Sequence, residues 1–245
     1  MYQESPSQGA IDGTPDNRVH LLLAATGSVA TIKIPNIISA LAPHAHKLSI
    51  RVILSSKAQN FLAGQSAEQP PISFLRSLPG VEAVYDDDAE WGPEPWRRGG
   101  DILHISLRRW ADLLVIAPLS ANTLAKLVHG FSDNLLTSVC RAWDTDGQVD
   151  GQGKRKRIIV APAMNTAMWR HPVTAPQIRV LQEDWGVKRD EATGEETGWF
   201  EVLPPQSSKV LACGDLGSGA MLEWTEIVKV IEDRLGLERL EQSNQ

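Results

Sequence analysis

The sequence predicts a doubly wound α/β domain, a parallel sheet covered by helices on both faces. Three observations lead there: long apolar runs with no polar alternation, apolar stripes at helical spacing between those runs, and Gly, Ser or Pro at the junctions. The runs VHLLLAA, LSIRVIL, DLLVIAPL and RIIVAPA each read as a fully buried strand. At 245 residues and 42% hydrophobic content, the chain can bury one full core. The plan it suits is a flavodoxin-like or Rossmann-like three-layer sandwich of about five or six strands.

The elements follow in chain order. Residues 1–17 are rich in Ser, Pro, Gly and Asp, offer little to bury, and predict a disordered tail ahead of a single domain over 18–236. After VHLLLAA comes the turn Thr26-Gly27-Ser28, then a helix with Ile34, Ile37, Ile38 and Leu41 on one face and Pro35 tolerated in its first turn. LSIRVIL leads through SSK into a second helix beginning at AQNFLA. Residues 64–100 predict an exposed excursion around one short strand from Val81 to Tyr85. DLLVIAPL is followed by Ser120 as a helix N-cap, with Leu124, Leu127, Val128 and Phe131 as the buried stripe, and then by a helix at NLLTSVCRAW. DTDGQVDGQGKRKR reads as a flexible loop with a solvated basic run, Lys154 to Arg157. TAPQIRVLQEDW is a helix with Ile178, Leu181 and Trp185 aligned, and WFEVL closes the sheet. Trp224, Ile227, Val228, Ile231 and Leu235 form the face of a last helix before a polar tail over 237–245.

Composition narrows the partners. A formal net charge of −6 and a pI near 5.5 speak against nucleic acid or a polyphosphate surface. No basic stretch precedes an apolar one at the N-terminus, and the first apolar run breaks at Gly27 and Ser28, so neither secretion nor a membrane span is expected and the chain reads as cytoplasmic. Cys140 and Cys213 read as free thiols, and no metal is expected.

In an open parallel sheet, ligands bind beyond the carboxyl ends of the strands, which points to the loops TGSVA, LSSKA, APLSANT and APAMN. TGSVA and APLSANT place small residues and hydroxyls where a helix begins, and free N–H groups there favour a phosphate. With no GxGxxG and no Walker lysine, a mononucleotide with one phosphate such as FMN is the economical ligand. His104 is either a general base or a structural histidine, and Asn165 either binds a carboxylate or caps the next helix. Cys213 lies in LACGDLGSGAM, where Gly214, Gly217 and Gly219 predict a mobile loop able to carry a thiol to a ligand.

Together, TGSVA, LHISLRRWADLLVIAPLSANTLAK, APAMNTAMW and LACGDLGSGAM resemble the FMN-dependent phosphopantothenoylcysteine decarboxylases, within the homo-oligomeric flavin-containing cysteine decarboxylase group. The resemblance runs from about Val19 to Leu235. It implies that Gly27, Ser28 and Val29, the Ser55-Ser56-Lys57 turn, and Ser120, Ala121, Asn122 and Thr123 hold FMN, with Ala163 near its ring. It implies that His104 is the base, that Asn165 binds the substrate carboxylate, and that a clamp of Ala212, Cys213 and Met221 closes over the substrate. The implied reaction passes through transient oxidation to a thioaldehyde, loss of CO2 and reduction of an ene-thiol, with Cys213 supplying a proton, to give 4′-phosphopantetheine. The group assembles as trimers with sites at the chain interfaces, and some fungal members divide the histidine and cysteine between paralogous subunits.

Lys57 stands where relatives often carry a small hydroxyl residue, and the stretches 145–157 and 189–200 look longer than in compact relatives. Competing readings are a peptidyl-cysteine decarboxylase, a flavin prenyltransferase and a phosphatase-inhibitory subunit. The ACGD cysteine argues against the first, the joint presence of Asn165 and Cys213 against the second, and the lack of a long acidic tail against the third, although Asp86 to Glu90 is a short acidic run.

Overall fold

Alternate residues of a strand point to opposite faces, so a run that is apolar throughout needs cover on both sides. The computed structural model describes residues 17–91, 95–150, 153, 155–206, 209–210 and 216–238. Five strands, β1 (Val19–Ala25), β2 (Leu48–Leu54), β3 (Val81–Tyr85), β4 (Leu113–Leu119) and β5 (Arg157–Pro162), meet that need in one parallel sheet. Two short antiparallel pairs stand apart: β6 (Lys188–Arg189) with β7 (Glu196–Thr197), and β9 (Lys209–Val210) with β10 (Leu216–Gly217). Between them β8 (Phe200–Val202) joins β5 in parallel and gives the sheet order β3-β2-β1-β4-β5-β8. Counted along the sheet alone this is 3-2-1-4-5-6, the Rossmann order, whose direction reverses between β1 and β4.

The helices are α1 (Ile34–Leu41), α2 (Ser56–Gln59), α3 (Ile72–Ser77), α4 (Leu103–Trp110), α5 (Ala121–His129), α6 (Leu135–Arg141), α7 (Thr166–Arg170), α8 (Thr174–Arg179) and α9 (Trp224–Leu235). They divide between two cores. Leu21, Leu23 and Ala25 of β1 pack with α1 and α9, where Ile34, Ile37, Ile38, Leu41, Ile227 and Ile231 are fully buried. Leu22 and Ala24 belong to the opposite core, with Leu107 of α4, Leu124 of α5, Val139 of α6 and Ile178 of α8. Each buried Leu or Ile contributes about 1.5–3 kcal/mol, so the central strands carry apolar burial on both faces.

Several expectations are corrected. The excursion over 64–100 holds β3 as expected but also α3, whose Leu75 is fully buried, and a helical turn at Asp87–Glu90. The helix expected from AQNFLA is only the single turn α2, ending at Gln59. Phe131 does not join the α5 stripe: the helix ends at Gly130 in the left-handed region, and Phe131 beyond it is 57% exposed. The tails lie outside the described residues except for Asn17, Leu237 and Glu238, and Leu237 is buried beyond the left-handed Gly236 that ends α9.

The basic run is the clearest correction. Lys156 is buried, its ammonium donating to the carbonyls of Arg108 and Arg109 at 3.2 and 3.0 Å and so capping the end of α4. Arg108 in turn donates to Asp150 at 2.7 Å and to the Ala142 carbonyl at 3.0 Å. Desolvation lowers the Lys156 pKa, and the Asp150 carboxylate works against that shift. Arg157 pairs with Glu196 and Glu201. Asp150, in the loop after α6, is therefore held in a buried ion cluster, whereas Lys154 of the basic run lies outside the described residues. Removing one partner of such a cluster leaves the other charges buried and unpaired, so Asp150→Ala is expected to lower unfolding free energy by about 3–5 kcal/mol in urea denaturation. A loss within a few tenths of a kcal/mol would show the loop to be unattached in solution.

Candidate active site

Where the direction of the sheet reverses, the crossovers after β1 and β4 leave toward opposite faces and open a crevice at the carboxyl edge. Thr26 holds its two sides together. Its hydroxyl donates to the Pro118 carbonyl at 2.9 Å and accepts from the Ser120 N–H at 2.7 Å, while its own N–H donates to Pro118 at 3.1 Å. Its carbonyl accepts from the Thr31 hydroxyl at 3.0 Å, which fixes the turn after β1. A cavity of about 880 Å3 lies over this junction, within the range for small-molecule sites.

Four loops bring the expected cofactor residues to that cavity. Gly27, Ser28 and Val29 enter from the turn after β1, and Ser55, Ser56 and Lys57 from the turn after β2. Ser120, Ala121, Asn122 and Thr123 enter from the start of α5, and Ala163 from the end of β5. Ser28, Ser55 and Ser120 are N-caps, accepting from the N–H groups of Ala30, Ala58 and Thr123 and leaving other N–H groups of those first turns without helical partners. Gly27 has a steric reason to be glycine: a Cβ there would lie 2.8 Å from Cβ of Lys57, so any side chain would force the two turns apart.

Some lining residues escaped the sequence reading. Lys33, Phe61, Lys126, Met168, Gly219 and Trp224 also face the cavity. Lys126 pairs with Asp133 at 2.5 Å and, as the leading cause, holds that carboxyl below its ordinary value. Lys33 and Lys57 have no carboxylate partner among the described residues. Lys126 was legible one turn inside the ANTLAK helix. Trp224, expected on the core face of α9, is only half-buried and serves core and cavity together.

Of the expected substrate residues, Asn165 and Met221 line the same cavity. The capping reading of Asn165 holds: its Oδ1 accepts from the Met168 N–H at 2.8 Å and caps α7, while its amide nitrogen has no partner among the described residues. Met221 sits on a wall fixed at three points. Gln206 donates its N–H to Ala220 at 2.9 Å and its amide to Met221 at 2.6 Å, and the Met164 N–H donates to Gly219 at 2.9 Å. Ala212 and Cys213 lie outside the described residues. Cys140 lines no part of the cavity; it packs partly buried against the core, and burial pushes its thiol up to about 12.

His104 does not line the cavity of its own chain. It sits in the first turn of α4, where the sequence reading placed only an approach to a strand. Its Nδ1 lies 2.5 Å from Oε1 of Glu90. The RRWAD segment behind it explains how the helix docks. Arg108 enters the Asp150 cluster, Trp110 lies tilted against His20 at 4.6 Å with the Arg51 guanidinium over its ring at 4.2 Å, and Asp112 accepts from the His20 N–H at 2.9 Å. The short acidic run is also engaged: Asp87 accepts from the Ser56 N–H at 2.9 Å, and Glu90 holds His104.

Gly219 is held at a φ of +110°, and a Cβ there would lie 2.7 Å from the Met164 carbonyl oxygen and 3.0 Å from Cβ of Trp169. Gly219→Ala is expected to cost roughly 1–3 kcal/mol, read as a lowered Tm, and to shift the Met221 wall. An unchanged Tm would place no constraint on this turn.

Comparison with known proteins identifies the family and agrees with the fold. The Flavoprotein family matches residues 10–236. The chain is 37% identical over 233 residues to a phosphopantothenoylcysteine decarboxylase of Mus musculus, covering 95% of this chain and 94% of the mouse protein. It is 40% identical over 225 residues to a "Probable thymidylate synthase" of Schizosaccharomyces pombe, covering 91% of this chain but spanning only 30% of that longer relative. Among solved structures, a mutant PPC decarboxylase complexed with pantothenoylaminoethenethiol is 37% identical, with a TM-score of 0.67 over 88% of this chain and 97% of that one. The FMN binding protein AtHal3 is 36% identical, with a TM-score of 0.66 over 91% of this chain and all of the other. The chain therefore belongs to the flavoprotein family, among the phosphopantothenoylcysteine decarboxylases.

Proposed function

We propose that the chain is an FMN-dependent decarboxylase converting 4′-phosphopantothenoylcysteine to 4′-phosphopantetheine in coenzyme A biosynthesis. The observation that carries this reading is the single cavity at the switch point, which gathers capped helix starts, Lys33 and Lys57, and the Asn165 amide. FMN suits this site. The N–H groups beyond Ser120, together with the Ser28 hydroxyl and the Lys57 ammonium, would hold its phosphate, and the close approach of the turns at Gly27 makes a cradle that a Cβ would spoil. Lys57 replaces a hydroxyl contact by a charge-assisted one. Ala163, Met164 and Met221 offer apolar wall to the ring.

When bound, FMN supplies a transient two-electron acceptor, which a simple cysteine carboxylate lacks. The residues of the chain then bind and move protons. The Asn165 amide, with its oxygen committed to the α7 cap, donates N–H to the substrate carboxylate. His104 takes the proton of the reacting cysteine, and Cys213, on its glycine-flanked loop, returns a proton to the ene-thiol late in the turnover.

Because His104 does not line its own cavity, the reading includes a homotrimer in which a neighbouring copy brings His104 to the site, so that active sites lie at subunit interfaces. His104, Asn165 and Cys213 coexist in one chain, so no paralogous subunit is required. Among the described residues no helix is long and apolar enough to cross a membrane.

The purified protein is expected to be yellow, to elute at about three times the 26.8 kDa chain mass, and to yield CO2 and 4′-phosphopantetheine without nicotinamide. A colourless chain that FMN cannot reconstitute would overturn the reading. His104→Asn is expected to keep FMN and lose CO2 release, and full CO2 release by that variant would remove the base role. Cys213→Ser is expected to release CO2 but accumulate the ene-thiol, detected by mass spectrometry, and normal product formation would remove Cys213 from the proton path.

A further inference from the structure

We propose that Glu90 is the positioning residue of His104, fixing which ring nitrogen carries the hydrogen and which accepts the proton. The proposal rests on the reading of His104 as base. Glu90 Oε1 lies 2.5 Å from Nδ1 of His104, and the Glu90 side chain is only 6% exposed. Its second oxygen is buried with no hydrogen-bond partner among the described residues, so the imidazole is the one partner shown for this carboxylate. Separating the pair would strand a buried charge.

Both partners are held from behind. The helical turn Asp87–Glu90 starts at Asp86, whose Oδ1 accepts from the Ala89 N–H at 3.0 Å, and Asp87 anchors the turn to the Ser56 N–H at 2.9 Å. The other side is α4, locked by buried Leu107, by Arg108 on Asp150 and by Trp110 under Arg51. The same short turn thus touches the candidate cofactor loop through Asp87 and the base through Glu90.

The chemical consequence follows from hydrogen-bond roles. A carboxylate only accepts, so Nδ1 must carry the hydrogen, and in the neutral ring the lone pair is then on Nε2. Nε2 is therefore the atom that takes the substrate proton, and the adjacent carboxylate stabilises the imidazolium that results. Glu90→Gln keeps size and shape, but its amide can donate to Nδ1 and favour the hydrogen on Nε2, the wrong tautomer for a base.

The test uses the flavin-loaded chain with 15N-labelled histidine, with the His104 signal assigned by its loss in His104→Asn. In the unsubstituted chain, Nδ1 of His104 is expected to give the protonated-nitrogen shift and Nε2 the unprotonated one, and Glu90→Gln is expected to reverse them. The same variant is expected to lower kcat for CO2 release about 10²–10⁴-fold, the range for losing a positioned base, with KM and flavin content unchanged. Glu90→Asp is expected to recover part of kcat. An unaltered tautomer in Glu90→Gln, or an unaltered kcat where His104→Asn is inactive, would overturn the proposal. So would a fall in kcat that tracks loss of flavin without recovery in Glu90→Asp, since that marks a merely structural role. If His104→Asn keeps full CO2 release, the base reading fails, whereas the tautomer shifts still decide the positioning.

Discussion

The hydroxyl of Thr26 is the contact on which the site depends. β1 and β4 are neighbours in the sheet, yet their crossovers run to opposite faces, and nothing in their ladder alone fixes the loops that leave them. By donating to Pro118 and accepting from the Ser120 N–H, Thr26 sets the turn after β1 and the N-cap of α5 in one geometry. It is 1% exposed, so either bond broken would leave a buried polar group unsatisfied. The cavity opens over this junction, and its remaining walls come from the turns after β2 and β5 and from the approach to α9.

Beyond that junction, charge is used where apolar packing cannot reach. The end of α4 is capped by Lys156 and braced by Arg108 on Asp150, which fixes the helix that carries His104 at its other end. The acidic turn Asp87–Glu90 joins this helix to the loop at Ser56. Buried ion clusters add little net stability against an apolar alternative, but here the cluster fixes one arrangement of the helix whose first turn carries His104.

Much of the candidate site was legible as loops rather than as contacts. Glycine and serine at the carboxyl ends of apolar runs marked TGSVA, LSSKA, APLSANT and APAMN, because the backbone there must turn and a helix must be capped, and these are local demands. Lys33, Phe61 and Trp224 carried no such mark, since a lysine or aromatic at a helix position reads as surface or core until the neighbouring loop is seen across it. The acidic run Asp86 to Glu90 read only as part of an exposed excursion for the same reason: Ser56 lies 31 residues and His104 14 residues from the groups that engage them.

The sequence by itself determined the parallel α/β class, the central strands and the main amphipathic helices, because apolar runs and helical stripes are periodic signals within a few residues. It also marked, through the resemblance of four short motifs, the loops that line the candidate site. Tertiary structure decided the sheet order, the burial of Lys156, the helix under His104 and the pairing of His104 with Glu90. Each of these depends on groups that come into contact only after the chain has closed, and so on burial and hydrogen-bond satisfaction that no local window contains.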